Sequence, residues 1–573
     1  MQLEKKYEGE DEAAAHVSAV HGYDPEKANP DLADGNGLLV DGPAAGSAPG
    51  EGTVHRKLKQ RHIAMIALGG AIGTGLFLGS GSALHSGGPV GTWLAYIAMS
   101  SMVYSMMVAL GEMATLFPVS GGFTHYATRF VDPALGFALG FNYWYSYAIT
   151  IPTEVVAASI VITYWDEHTN AAVYITVLSV AILFINFWGA KAYGEAEFWF
   201  SAIKIVTIVG LILLGVVLMC GGGPDHDPIG FRYWRNPGPF NQITINNNSD
   251  TPGTVSGSWG SFLAWFYILV QAAFSFIGTE IIATTVGEAE NPRKTVPKAI
   301  KRVFYRLLVF YVFGIFIISV LVSSDDPNLL NGNANASRSP FVIAIVNAGI
   351  KGLPSVINAV ILIAAWSAGN SDLYASSRTL YALALEGKAP RIFRKCTKSG
   401  LPIYCVGVTG LFVFLGYLNT GGPAAVSAFN WLYNLSAITG LITWWAILVA
   451  YLRFYYGLKK QGLTRDDHPY RAPLQPWLSW YGLVSFTIII WLNGFNVFLK
   501  GNFNVSSFFA AYITLPIFAL AWVGWKVWHK TKWIPLTEID FVTGRRELDE
   551  MEAEDKKKFV STKWYQKVMD ALF

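Results

Sequence analysis

Long apolar runs separated by short polar segments fill the chain from residue 63 to residue 529. Crossing the hydrocarbon of a bilayer takes about 20 predominantly apolar residues in helix, because every backbone polar group must be satisfied within the segment there. On that criterion the pattern predicts twelve spans, at 63–84, 90–116, 134–163, 171–189, 198–221, 262–286, 304–323, 355–385, 403–420, 425–454, 480–500 and 507–529. The second, third, eighth and tenth runs exceed the minimum and are expected to tilt or to carry short extra helices. Phe341 to Ile350 is amphipathic and too short to span, so a surface or re-entrant helix is expected there. Residues 1–52 are rich in Asp, Glu, Ala and Gly and hold no apolar run, which predicts a disordered cytosolic tail. No cleavable signal peptide is expected, since the first apolar run has full span length and lies too far in. The body is therefore expected over residues 53–530, with 531–573 a solvated cytosolic C-terminal tail of mixed charge.

Composition agrees with the pattern. Of 573 residues, 52% are hydrophobic and only 14% charged, against roughly a quarter charged in a typical soluble domain. A formal charge of +3 gives no sign of a nucleic-acid footprint. Cys220, Cys396 and Cys405 are scattered without metal or disulfide spacing. Lys and Arg set the orientation. With the N-terminus in the cytosol, inner segments hold Arg56, Lys57, Lys59 and Arg61, then Arg293, Lys294, Lys298, Lys301, Arg302 and Arg306, then Lys388, Arg391, Arg394, Lys395 and Lys398. The outer loops hold only Arg232, Arg235, Arg338, Lys351 and Lys500. Both termini are thus expected in the cytosol, and the sequons at Asn247 and Asn335 fall in outer loops.

Two of the predicted spans are interrupted at matching places. The first contains Gly69-Gly70-Ala71-Ile72-Gly73-Thr74-Gly75-Leu76-Phe77 and the sixth Phe274-Ser275-Phe276-Ile277-Gly278-Thr279-Glu280, with Ile-Gly-Thr in both. Each glycine inside a helix costs about 1 kcal/mol relative to alanine, so the first cluster favours local unwinding. Unwound backbone at membrane depth persists only where it is buried in protein or lines a cavity. Paired interruptions at the start of two five-helix halves point to a transporter of inverted repeats with its site at the midplane. Bare N–H groups of a half-helix suit a carboxylate, and bare carbonyls suit an ammonium. Close helix packing is the alternative use of such glycines. A phosphate-cradling loop is excluded, because no Lys-Ser/Thr follows the glycines and no strand precedes them.

Ionisable groups inside spans mark ion paths or substrate contacts. Glu112, Glu154, Lys204, Glu280, Asp372 and Arg378 fall in this class. Lys204 has an ammonium that can stand where a sodium ion would, and Glu280 a carboxyl able to hold a proton. Glu154 is a candidate substrate or proton contact, Glu112 reads as structural, and Phe274 and Trp366 are candidate gating aromatics.

Together, GlyGlyAlaIleGlyThrGlyLeuPhe, GlyGluMetAlaThrLeuPheProValSerGlyGly, GluAlaGluPheTrpPheSerAlaIleLys, PheSerPheIleGlyThrGlu and GlyGluAlaGluAsnProArgLys resemble the fungal amino-acid permeases, the yeast amino-acid transporter branch of the amino acid–polyamine–organocation superfamily. The resemblance covers roughly residues 53–540. It implies an all-α integral membrane protein of leucine-transporter type, ten core helices in two inverted repeats (5+5) plus two peripheral ones, importing amino acids with protons across the plasma membrane. It puts the substrate carboxylate on the backbone of Thr74 and Gly75, beside Gly73 and Ile72. The ammonium meets carbonyls of Ala71, Phe274 and Ile277, with Ser275, Gly278 and Thr279 completing the second break. Lys204 and Glu280 match positions tied to proton coupling. Trp366–Tyr381 and Tyr470–Trp477 are more similar to the dicarboxylic amino-acid permease branch, which implies Asp and Glu as substrates; a broad neutral-amino-acid permease is the alternative.

No cofactor or metal is expected, and the partners are an amino acid, protons and the lipid bilayer. Two other classes are weighed. A non-transporting amino-acid receptor would carry long specialised tails, and a membrane-embedded enzyme would cluster His, Asp or Cys at one membrane face. Neither feature is present in the sequence.

Overall fold

A computed structural model describes residue 65 and residues 72–543, apart from 120, 167, 246–252, 286–291, 331–338, 421–422 and 467. The N-terminal tail, Ala71, and the sequons at Asn247 and Asn335 lie outside the described residues.

Among the described residues the structure is all-α save for one antiparallel pair, β1 (Thr244–Ile245) and β2 (Gly253–Thr254), with Thr244 opposite Thr254. The first span continues from Thr74 as a π-helical turn, Gly75–Gly79, and then as α1 (Ser80–Gly87). Next come α2 (Pro89–Leu116), the short α3 (Phe123–Phe130), α4 (Pro133–Ile162), α5 (Ala171–Trp188) and α6 (Ala190–Met219). The second half begins with α7 (Gly257–Phe276) and α8 (Ile281–Thr285), two pieces of the sixth span. It goes on with α9 (Pro292–Arg306) and α10 (Gly314–Leu321), α11 (Pro340–Asn347), α12 (Leu353–Leu385) and α13 (Ile403–Gly410). Last are α14 (Pro423–Lys460), α15 (Trp477–Trp491), α16 (Val505–Tyr512) and α17 (Thr514–His529).

Among the described residues nine helices are long and apolar enough to cross a membrane, ten when the bent pair α16–α17 counts as one. The expected twelve is not reached by this measure. α15 has only 15 residues, and the first span lies partly outside the described residues. The layering is that of a protein dissolved in lipid. α5 and α6 are strongly apolar yet among the least buried, and Val206 and Leu520 on the outer layer are 72% and 71% exposed. The inner layer is α4, α12 and α14, with α4 and α12 packed along their lengths. At 30, 33 and 38 residues these helices outrun a perpendicular crossing and must tilt or project into the aqueous phase.

α4 starts sharply because Asp132 caps it, its Oδ1 accepting from the Ala134 amide at 2.9 Å, with Pro133 in the first turn. Lys526 and the Thr531 hydroxyl hold the same carboxylate, tying α17 to this corner.

Two expectations about the periphery are narrowed. Of the surface and re-entrant alternatives for α11, the surface one is excluded. Phe341 through Ile345 are buried, and the Phe341 ring meets Phe77 edge-on at 6.1 Å, so the helix packs on the π-helical turn of the first span. Nor is the chain from Thr531 a solvated appendage throughout. Ile539 and Phe541 are 3% and 2% exposed, and Phe541 stacks on Phe130 at 6.0 Å. Arg129 donates to the carbonyls of Asp540 and Thr543 at 2.8 and 2.9 Å, and Gln461 to those of Leu536 and Ile539. The mixed charge that begins at Arg545 masks the apolar residues just before it that dock. Phe541→Ala is expected to cost about 3 kcal/mol, seen as earlier thermal unfolding of the purified protein; an unchanged melting temperature would show that the strap is not part of the packed core.

Candidate functional site

The two interruptions form and meet. At the first, Ile72 and Gly73 are non-helical before winding resumes at Thr74. At the second, α7 ends at Phe276, Ile277 turns out of helix with ψ 141°, and Gly278 sits at φ +93°, a conformation that a side chain would strain. The chain re-enters helix at Ile281. A Cβ placed on Gly75 would lie 2.6 Å from the Ser275 Cα and 3.0 Å from the Phe274 ring. The absent side chain is what lets the two spans touch backbone to backbone.

Around this contact the second break is braced. Tyr96 on α2 shares a hydrogen bond with the Ser275 hydroxyl at 2.9 Å, and Tyr311 donates to the Ser275 carbonyl at 2.8 Å. The Ile277 amide donates to the Phe274 carbonyl at 3.2 Å, and Thr279 donates to the Phe276 carbonyl at 2.5 Å. Arg306 donates to the Thr279 hydroxyl at 2.8 Å and is 1% exposed. Phe274 is buried and packs on Tyr433 with ring centroids 4.0 Å apart, and Tyr433 is fixed by donating to the Gln271 carbonyl. An aromatic pair thus covers the junction.

Glu280 has both oxygens occupied, by the Tyr147 hydroxyl of α4 at 2.8 Å and the Trp444 indole of α14 at 2.9 Å. Glu154 reaches the first break from α4. The Thr74 hydroxyl donates to its Oε1 at 2.9 Å, and that same oxygen lies 2.9 Å from where a Gly73 Cβ would be. Its Oε2 is buried with no hydrogen-bond partner among the described residues, and so is Oδ2 of Asp372 on α12. Lys204 is fully buried with Nζ 3.5 Å from Glu197 Oε1. Glu197 also accepts from Ser201 at 2.9 Å and from Ser367 of α12 at 2.7 Å. Ser367 precedes Ala368, whose Cβ would lie 3.2 Å from a Cβ placed on Gly73, so α12 links the lysine pair to the first break.

Most predicted residues therefore gather at one junction: Ile72, Gly73, Thr74, Gly75, Glu154, Phe274, Ser275, Ile277, Gly278, Thr279 and Glu280. Trp366 does not join them. Its indole donates to the Leu178 carbonyl of α5 at 3.1 Å, and its ring meets Phe200 of α6, so its described contacts lie on the outward side of α12. Arg378 stacks over Tyr374 at 4.3 Å. Sequence reading missed Glu197 and Arg306. Glu197, Ser201 and Lys204 recur at four- and three-residue intervals, the spacing of one helix face, which is a legible signal. Arg306 follows a run of basic residues and so reads from sequence as one more loop charge.

The amino acid permease family model matches residues 62–536. The chain is 42% identical to the proline-specific permease of Emericella nidulans, over 87% of this chain and 89% of that one. It is 42% identical to the dicarboxylic amino acid permease of Saccharomyces cerevisiae, over 88% and 82%, and 43% identical to the lysine-specific permease of the same yeast, over 88% and 80%. A solved nucleobase-cation-symport-1 family transporter, MHP1, in a closed conformation with bromovinylhydantoin bound, is similar at TM-score 0.42 and 16% identity, covering 88% of this chain and 99% of its own.

Proposed function

Because this chain belongs to the amino acid permease family, whose members are membrane transporters and not enzymes, we propose that it is a proton-coupled symporter that imports amino acids across the plasma membrane by alternating access, with both termini in the cytosol. The observation that carries the reading is the backbone contact of Gly75 with Ser275. It brings a helix start and a helix end to one buried point, where the α-carboxylate and ammonium of one small zwitterion each find a complementary dipole.

On substrate class, the neutral reading is better supported than the acidic one. A side-chain carboxylate needs a cation at the junction, and the nearby buried cations are already engaged, Lys204 by Glu197 and Arg306 by Thr279. Uptake of labelled L-proline should be competed by neutral amino acids, collapse with a protonophore and persist when choline replaces sodium. Dominant competition by aspartate would overturn the neutral reading, and a sodium requirement the proton coupling.

Lys204 supports the coupling assignment, a fixed ammonium beside the first break. Lys204→Ala is expected to leave residual exchange but remove acceleration of uptake by an inward proton gradient. The double variant Lys204→Ala/Glu197→Gln avoids leaving a bare buried carboxylate. Gradient dependence unchanged in both would refute the role.

A further inference from the structure

The Thr74 hydroxyl stands where the substrate carboxylate is to be held, yet it is already donating to a carboxylate of the protein. Thr74 and Glu154 are each 4% exposed, and the bond between them joins residues 80 positions apart on two different spans. Gly73 makes the approach feasible, since the Glu154 Oε1 occupies the space a side chain there would fill. A threonine hydroxyl has one O–H donor and two acceptor lone pairs. It can donate to Glu154 or to an arriving carboxylate, but not to both.

We propose that Glu154 and the substrate's α-carboxylate compete for this one donor, so that a proton on Glu154 is the condition for substrate binding. With Glu154 ionised, its carboxylate fills the first break in place of the substrate. When Glu154 takes a proton from the outer solution, its new O–H donates into a Thr74 lone pair. The Thr74 O–H is then released to turn toward the incoming carboxylate. On the cytosolic side the substrate leaves, the hydroxyl swings back to Oε1, and the proton departs, so one proton travels with one amino acid. Two ionised carboxylates on one buried hydroxyl are excluded by like-charge repulsion. The charged and titratable groups that bear on Glu154 are the Lys204 ammonium from α6, the Asp372 carboxyl from α12 and the Tyr433 phenol from α14. Among them Lys204 is held at 3.5 Å by Glu197, and Asp372 offers a second carboxyl rather than a donor to either partner, so the hydroxyl is the group on which the exchange turns. The proposal deepens the reading of the two breaks as the amino-acid site and rests on it.

The test is equilibrium binding of labelled L-proline, L-aspartate and L-lysine to the purified full chain across a pH series. For whichever probe binds, wild-type affinity should fall by up to about tenfold per pH unit once Glu154 ionises, the signature of one linked proton. Glu154→Gln carries an amide N–H that donates to Thr74 permanently, so it should bind at every pH with the acid-limit affinity of wild type. Weaker binding by Glu154→Gln at all pH values, or a pH-independent wild type, would overturn the competition. Should Glu154→Gln not reach the membrane, Thr74→Ser should keep the slope and Thr74→Ala lose it. A full slope in Thr74→Ala would equally overturn it. Failure of the wild type to bind all three probes would instead remove the premise, and this proposal with it.

Discussion

Gly75→Val is expected to abolish amino-acid binding while the protein still reaches the membrane. The argument is steric and local. A Cβ on residue 75 would lie 2.6 Å from the Ser275 Cα and 2.9 Å from its amide nitrogen, both backbone atoms with no rotamer to yield. The Ser275 backbone is itself pinned by Tyr311 on its carbonyl. Relief must come from separating the two breaks, which dismantles the paired helix ends at which a zwitterion would sit. Gly75→Ala should already lower affinity at least tenfold, about 1.4 kcal/mol. Gly79→Ala is the control, because its Cβ would meet only the tip of Tyr433, the hydroxyl, at 3.1 Å. Binding of labelled amino acid to membranes, normalised to protein level, decides the matter. Gly75→Ala within twofold of wild type would mean that the first break does not touch the second in the binding state.

The second large effect is on stability. Arg465→Ala is expected to destabilise the protein by about 3–5 kcal/mol. Glu112 lies in α2 with no exposure, and Arg465 grips it with two parallel bonds of 2.7 and 2.5 Å. The Tyr451 hydroxyl at 2.7 Å, the Ala472 amide at 3.0 Å and His468 at 3.1 Å complete the shell. Removing the guanidinium strands a carboxylate in a buried site. Removing both charges should be far milder, so Glu112→Gln/Arg465→Met is expected to recover most of the loss. Arg465→Lys should fall between, because an ammonium cannot reproduce the planar fork. Thermal unfolding in detergent reads all three, and a single variant no worse than the double would show that the pair is not stabilising through charge compensation.

Much of this molecule is written in its apolar periodicity. The spans follow because lipid permits only internally bonded backbone, and the breaks follow because Gly73, Gly75 and Gly278 remove the side chains that continuous helix and separation would require. What periodicity cannot carry is partnership across the bundle. Nothing local to Glu280 announces Tyr147 or Trp444, which come from α4 and α14. Nothing local to Arg306 distinguishes it from the solvated basic residues before it. The contacts of Trp366 are illegible for the same reason: an aromatic on a buried helix has two sides to face, and only the packing of α5 and α6 chooses. Among the described residues the span count stops short of twelve because α15 is short and the first span is only partly described.

The strap formed by Leu536, Ile539 and Phe541 changes where this polypeptide can be shortened. Ile539 sits 2.8 Å, and Phe541 3.0 Å, from the place a Gly457 side chain would occupy, so both plug a notch near the C-terminal end of α14. Trimming the gene after residue 530, as the charge pattern invites, would uncork that notch and unseat Arg129 and Gln461 together. A stop placed beyond residue 543 spares it, and so would any reporter fused there.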